Sequence, residues 1–252
     1  MIKISDDLEK ADFYNQQKTY YNEHAHTHLK YKEKSTYSEN MIGRIIKLLK
    51  EPNHLRLLEL GCGSGRFTIP LLKKGLIISA VDFSHVQLKQ LHKSAEEANI
   101  NLGQLSSYCC NIEDLDKVLR NDKFDCILAF FLLHHLPDIS SAFNIMKKFI
   151  SERGQLIFIE TNRWCPLYPL QIAFSKDMSW RYEKYQYKLT LKKIKESLGK
   201  AGFAGILVER FGLFPPQILD NFPAMLKVEK FIECLNLFNY FLPFLLINAK
   251  PE

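Results

Sequence analysis

The chain has 252 residues, a length that suits one α/β domain with insertions or a domain with a small cap. Hydrophobic residues make up 46% and charged residues 25%, a globular balance that buries a sizeable core. The formal charge is +6, with Lys pairs scattered at 73–74, 147–148 and 192–193 and no long basic run, so a solvated basic surface is favoured over a nucleic-acid partner.

Residues 1–40 are polar and rich in Tyr and His and read as short helices or an arm. Their start, Met1 to Asp7, is too polar for a signal peptide. Met41 to Lys50 carries a helical apolar stripe, and Pro52-Asn53 then breaks the chain. Leu55 to Leu60 is a first strand, followed by a Gly-rich turn and a helix to Lys74 closed by Gly75. Leu76 to Asp82 is a second strand, and Ser84 caps a helix to about Ala98. Gln104 to Cys110 is a weaker third strand and Phe124 to Phe131 a strongly apolar fourth. Asp138 to Ile150 is helical, Gly154 to Thr161 a fifth strand, and Thr190 caps a helix to Ala201. Ile206 to Phe211 and Phe244 to Ala249 complete the set of strands.

Strands alternating with helices imply a parallel sheet covered on both faces. Residues 41–252 then form the domain, with long intervals at 162–189 and 212–241 of a length that carries function or extra helices. The longest apolar stretch, Phe231 to Ile247, is interrupted by Glu233, Asn236, Asn239 and Pro243 and falls short of a transmembrane span. Six cysteines show no Cys-x-x-Cys and no zinc spacing, so no metal is expected. Cys109 and Cys126 lie in apolar runs, and a reduced cytoplasmic protein with buried thiols fits.

Gly61, Gly63 and Gly65 follow the first strand. Glycine permits a sharp turn and close approach of a ligand, and a helix N-terminus adds free N–H groups. A dinucleotide motif would place glycine where Arg66 stands, and the Gly-Lys-Ser/Thr of a phosphate loop is absent. Glu59 precedes the glycines by two residues, and Asp82 ends the next strand, where a carboxylate accepts both hydroxyls of a ribose.

On these residues the sequence resembles the class I methyltransferases. Glu59-x-Gly61-x-Gly63-x-Gly65 matches their first motif and Asp82 their ribose-binding acid. Asn111-Ile112-Glu113-Asp114-Leu115 is similar to the segment that holds the adenine, with Asn111 where Asp is common. Phe124-Asp125 through Leu133-His134-His135-Leu136-Pro137-Asp138, and Gly154 to Glu160, are similar to the fourth strand with its loop and the fifth strand of small-molecule members. The resemblance covers residues 41–211. It implies a Rossmann-like sheet of seven strands, mostly parallel with the last antiparallel, helices on both faces and a small cap. It also implies S-adenosyl-L-methionine as cofactor, held by Glu59, Gly61, Cys62, Gly63, Asp82, Phe83, Gln87, Asn111, Ile112 and Phe130.

His134 and His135 follow the fourth strand at the carboxyl edge of the sheet and are candidates to take a proton from the methyl acceptor. Tyr20, Tyr21, His24, His26, His28 and Tyr31 make the arm a candidate lid. Trp164, Pro166, Tyr168, Pro169, Phe174, Trp180, Tyr182, Tyr185 and Tyr187 suit either a substrate pocket or a satellite core. The apolar tail from Phe211 to Phe244 fits a hydrophobic substrate, a peripheral membrane contact or a buried C-terminal helix. A short-chain dehydrogenase is disfavoured because its Tyr-x-x-x-Lys spacing occurs only at Tyr14 to Lys18, upstream of the turn. The reading is methyl transfer to O, N or C of a small molecule. A cofactor-binding protein without turnover and an RNA or protein methyltransferase are the alternatives.

Overall fold

Strands without a polar face need a layer on each side, and the computed structural model, which describes residues 14–23, 31–49, 55–168 and 187–252, places them so. The strands are β1 (Arg56–Leu60), β2 (Ile77–Asp82), β3 (Leu105–Cys109), β4 (Phe124–Phe130), β5 (Ile150–Thr161), β6 (Phe203–Phe211) and β7 (Phe244–Pro251). They form one sheet of order β3-β2-β1-β4-β5-β7-β6. β1 to β5 pair in parallel, and β7 runs antiparallel to both β5 and β6. This is the expected seven-stranded sheet with an antiparallel last strand. Central β1 and β4 are buried nearly throughout, whereas edge strand β6 alternates.

The helices are α1, described over residues 14–23, then α2 (Thr36–Leu48), α3 (Thr68–Lys73), α4 (His85–Glu97), α5 (Leu115–Leu119), α6 (Ile139–Phe149), α7 (Leu191–Lys200), α8 (Pro216–Asn221) and α9 (Met225–Cys234). On one face Met41, Ile42, Ile69 and Leu91 pack against Leu57, Ile78 and Leu128. On the other Leu115, Phe143, Met146 and Leu198 pack against Leu58, Ile127 and Phe158. Ser84 and Thr190 cap α4 and α7 as expected, accepting from the N–H of Gln87 and of Lys193.

Several boundaries differ from the sequence reading. α2 begins at Thr36, ahead of the helical stripe expected from Met41, because the Ser35 side chain accepts from the N–H of Ser38. Ile150 belongs to β5 rather than to the helix before it, since it pairs with Phe124 across a register shift. β6 starts at Phe203, which is buried, and passes an irregularity around Gly205 at φ 58°. The thiols are not all hidden: Cys109, on edge strand β3, is exposed, and so is Cys234. α9 is no buried C-terminal helix, because Glu229 is its one buried residue. The Pro52-Asn53 break and much of the 162–189 interval lie outside the described residues.

The chain runs outward from β1 toward β3 on one side and from β4 toward β5 on the other. The crevice beyond the carboxyl ends of β1 and β4 is therefore the switch point at which open α/β sheets take ligands.

Candidate active site

The three glycines of the turn after β1 have φ values of 68°, 52° and 89°, a region costly for any side chain. They serve different ends. A Cβ on Gly61 would lie 2.8 Å from Leu132 Cδ1, and one on Gly65 2.5 Å from Leu91 Cδ1. At Gly63 the nearest atom, Gln87 Oε1, is 3.9 Å away. Gly61 and Gly65 thus admit packing neighbours, and Gly63 leaves open space for a ligand. The N–H groups of Gly61 and Cys62 both donate to Val81 O, at 2.8 and 3.1 Å, tying the turn to β2. α3 starts only at Thr68 and has six residues, so the helix expected straight after the turn is delayed and short.

Asp82 ends β2 beside this turn. Gly63 N–H donates to its Oδ2 at 2.8 Å and Ser84 N–H to its Oδ1 at 2.9 Å. Burial raises its pKa to about 6 against the opposing pull of the N–H groups of Ser84, Gly63 and Phe83. A carboxylate offers about four lone-pair sites, so about one remains for a ligand's hydroxyls besides those these N–H groups take. Burial pushes the Glu59 carboxyl up to about 8, with the Thr68 hydroxyl opposing and the charge of Asp82 adding. Glu59 Oε2 has no hydrogen-bond partner. Gln87 Nε2 donates to Tyr21 O at 3.0 Å, while its Oε1 is also without a partner. This wall offers acceptors to a ligand that carries donors.

The loop after β4 opens at Phe131, whose φ of 54° is unusual for a bulky residue. A short 3-10 turn, Leu133–His135, follows. Glu160, at the end of β5, holds it: Leu133 N–H donates to Oε1 at 2.6 Å, and His134 Nδ1 lies 2.8 Å from Oε2. Both His134 and Glu160 are buried. His135 faces α1 instead, with Nε2 2.9 Å from the Tyr21 hydroxyl. Burial, and then His134, drive its pKa well below the usual value, so it stays neutral.

All twelve residues singled out from the sequence (Glu59, Gly61, Cys62, Gly63, Asp82, Phe83, Gln87, Asn111, Ile112, Phe130, His134 and His135) line one cavity of about 710 Å³. That is within the range of roughly 300–1,000 Å³ typical of ligand sites. Tyr14, Gln17, Tyr20 and Tyr21 of α1 add to its wall, as do Leu213, Phe214 and Pro215. α1 is tied down by Tyr14, whose hydroxyl donates to Glu113 Oε1 at 2.6 Å, and by Asn22, which meets the Ser84 hydroxyl. A second wall is aromatic. Phe67 stacks on Phe130 at 4.3 Å, Phe131 meets Phe244 at 5.6 Å, and Tyr37 meets Phe244 at 6.0 Å. Of the residues placed in the lid and pocket, His24, His26, His28, Pro169, Phe174, Trp180, Tyr182 and Tyr185 lie outside the described residues. Sequence reasoning assigned no role to Glu160, Arg66, Phe67 or Tyr37. The signal for Glu160 was a carboxylate closing an apolar strand, and for Arg66 a cation directly behind the glycine turn.

A family model described as a methyltransferase domain matches residues 58–158, from β1 into β5. Residues 58–158 are thus similar to a methyltransferase domain. A ubiquinone biosynthesis O-methyltransferase of Pasteurella multocida (strain Pm70) is 28% identical to it over 122 residues, covering 46% of this chain and 50% of that one. The chain spans about half the length of the curated relatives it matches. Among solved structures, phosphoethanolamine N-methyltransferase 2 of Haemonchus contortus, in complex with S-adenosyl-L-methionine, aligns with a TM-score of 0.60 at 16% identity. That alignment covers 84% of this chain and 53% of the other. An S-adenosylmethionine-dependent methyltransferase of Mesorhizobium loti aligns with a TM-score of 0.57 at 20% identity, over 84% of this chain and 97% of that one. These structures share the methyltransferase fold.

Proposed function

We propose that this protein transfers a methyl group from S-adenosyl-L-methionine to a small, hydrophobic acceptor. One observation carries the cofactor reading: Asp82 clamps the glycine turn through both of its oxygens and lines the cavity beside that turn. The residues fit this cofactor chemically. Asp82 takes the ribose hydroxyls. Glu59, a buried acid with an unmet oxygen, takes the ammonium of the methionine part beside Gly61 and Gly63. Asn111 and Ile112 frame the adenine, and Phe83, Gln87 and Phe130 complete the enclosure.

The cofactor supplies a methyl group on a sulfonium, already an activated donor. The protein's own residues align the acceptor, exclude water and manage its proton. Glu160 holds His134 through Nδ1, which makes Nε2 the nitrogen that accepts the proton. His135, bound to Tyr21, keeps α1 closed over the cavity. α1 and the segment after β6 form the cap. An oxygen nucleophile is supported by the O-methyltransferase name of the relatives.

The 212–241 interval also supports contact with a membrane surface. Phe222, Val228, Phe231, Leu235, Tyr240 and Phe241 are exposed, beside exposed Lys227 and Lys230. No helix among the described residues is long and apolar enough to cross a membrane.

Calorimetry with S-adenosylhomocysteine is the direct test. Saturable binding is expected, and no heat at millimolar ligand would overturn the cofactor reading.

A further inference from the structure

Among the described residues lining the cavity, Arg66 is the one Lys or Arg. Its guanidinium lies 4.8 Å from the centre of the Tyr37 ring and 5.3 Å from that of Phe67. Neither ring offers an oxygen in the plane of the guanidinium from its face. The in-plane N–H donors of a guanidinium, five in all, need oxygen acceptors in the plane, and no carboxylate of the described residues forms an ion pair with Arg66. The acid that acts on it most is Asp220 of α8, not Glu59 or Asp82 of the cofactor wall. Asp220 is already engaged: its Oδ1 accepts from the Ser35 hydroxyl at 3.0 Å and from Tyr37 N–H at 3.1 Å, and its Oδ2 lies 3.7 Å from Lys32 Nζ. A half-buried cation without an ion-pair partner is costly, and burial lowers the pKa of Arg66. A guanidinium nonetheless stays charged at neutral pH and matches a carboxylate in a two-pronged fit.

The surroundings describe the rest of the ligand. Arg66 stands at the edge of the ring cluster of Tyr37, Phe67, Phe130, Phe131 and Phe244, which is apolar and flat-faced. We infer that Arg66 is the specificity-determining residue of the acceptor site and that the acceptor is an aromatic, largely apolar molecule bearing an acidic group. Arg66 pairs with that anion, and the rings stack on the body of the molecule. This rests on the cofactor reading above, because it assigns the remaining half of the same cavity.

The test titrates wild type, Arg66→Gln and Arg66→Lys first with S-adenosylhomocysteine alone. With that ligand saturating, it then titrates a panel of aromatic acids paired with their neutral amides, beginning with 2-naphthoate and 2-naphthamide. Wild type should bind the acids about tenfold tighter than the amides, the scale of one charge-assisted contact. Arg66→Gln should erase that preference and keep its S-adenosylhomocysteine affinity within about twofold, which also reports an intact fold; Arg66→Lys should keep part of the preference. Equal binding of acids and amides by wild type, or no binding of either at millimolar concentration, overturns the inference. So does a parallel loss of S-adenosylhomocysteine affinity in Arg66→Gln, which would place the cofactor's own carboxylate on this residue. Wild type that fails the first titration overturns the cofactor reading instead, and this proposal falls with it.

Discussion

At the scale of the residue, two buried acids respond differently to a ligand. Asp82→Ala removes the acceptors proposed for the ribose and should weaken S-adenosylhomocysteine binding by about 1–3 kcal/mol in a titration, the scale of lost hydrogen bonds to a charged group. Unchanged affinity would refute the ribose role. Glu59 holds a proton up to about pH 8, whereas in the unfolded chain it releases it near the ordinary Glu value of about 4.3. The folded state therefore binds more protons than the unfolded state across that window, and this group's contribution to stability falls as pH rises through it. The melting temperature of the free protein should drop from pH 5 to pH 8, and Glu59→Gln should flatten the slope. A ligand ammonium favours the carboxylate, so binding should release a proton, read as a dependence of the binding heat on buffer ionisation. A buffer-independent heat argues against an ammonium at Glu59. For the proton of the acceptor, His134→Gln should lower kcat by about a hundredfold or more and leave S-adenosylhomocysteine affinity alone. An unaltered pH–rate profile would move the base elsewhere.

At the scale of the element, turns and loops are held by few atoms. Gly61→Ala adds a Cβ 2.8 Å from Leu132 at a φ of 68°, and strain of about 1–3 kcal/mol is expected, seen as a lower melting temperature. A variant as stable as the parent would mean that Leu132 yields freely. Glu229, on α9, accepts from the N–H groups of Leu213 and Phe214 at 2.8 and 2.9 Å and so fixes the segment that walls the cavity. Glu229→Ala leaves both donors without their partner, a cost of about 2–3 kcal/mol, and should raise the acceptor KM more than it alters S-adenosylhomocysteine affinity. Equal loss of both would point to global softening. The caps of α4 and α7 were legible because Ser84 and Thr190 act on N–H groups three residues away. The early start of α2 and the starts of β5 and β6 were not. They depend on partners that are remote in sequence, such as Phe124 across from Ile150.

For the whole molecule, cofactor and fold are linked through mass action. S-adenosylhomocysteine at a hundred times its Kd should stabilise the protein by about 2.7 kcal/mol, visible as a melting shift that Asp82→Ala reduces. The exposed rings of α9 and its neighbours should carry the protein down with phosphatidylglycerol-containing vesicles in a sedimentation assay. Substituting Phe231→Ser should release it, and a protein that stays in solution would remove the membrane reading. The sequence by itself determined the sheet and its order of elements, the glycine turn and the acids flanking it, and the resemblance to methyltransferases. Each of these is written in short-range periodicity or in residue types a few positions apart. Tertiary structure alone decided that Glu160 seats His134, that His135 belongs to α1, that Cys109 faces outward, and that Arg66 meets rings instead of a carboxylate. Those outcomes follow from which strands and helices lie side by side, a matter of long-range packing and burial that no local pattern encodes.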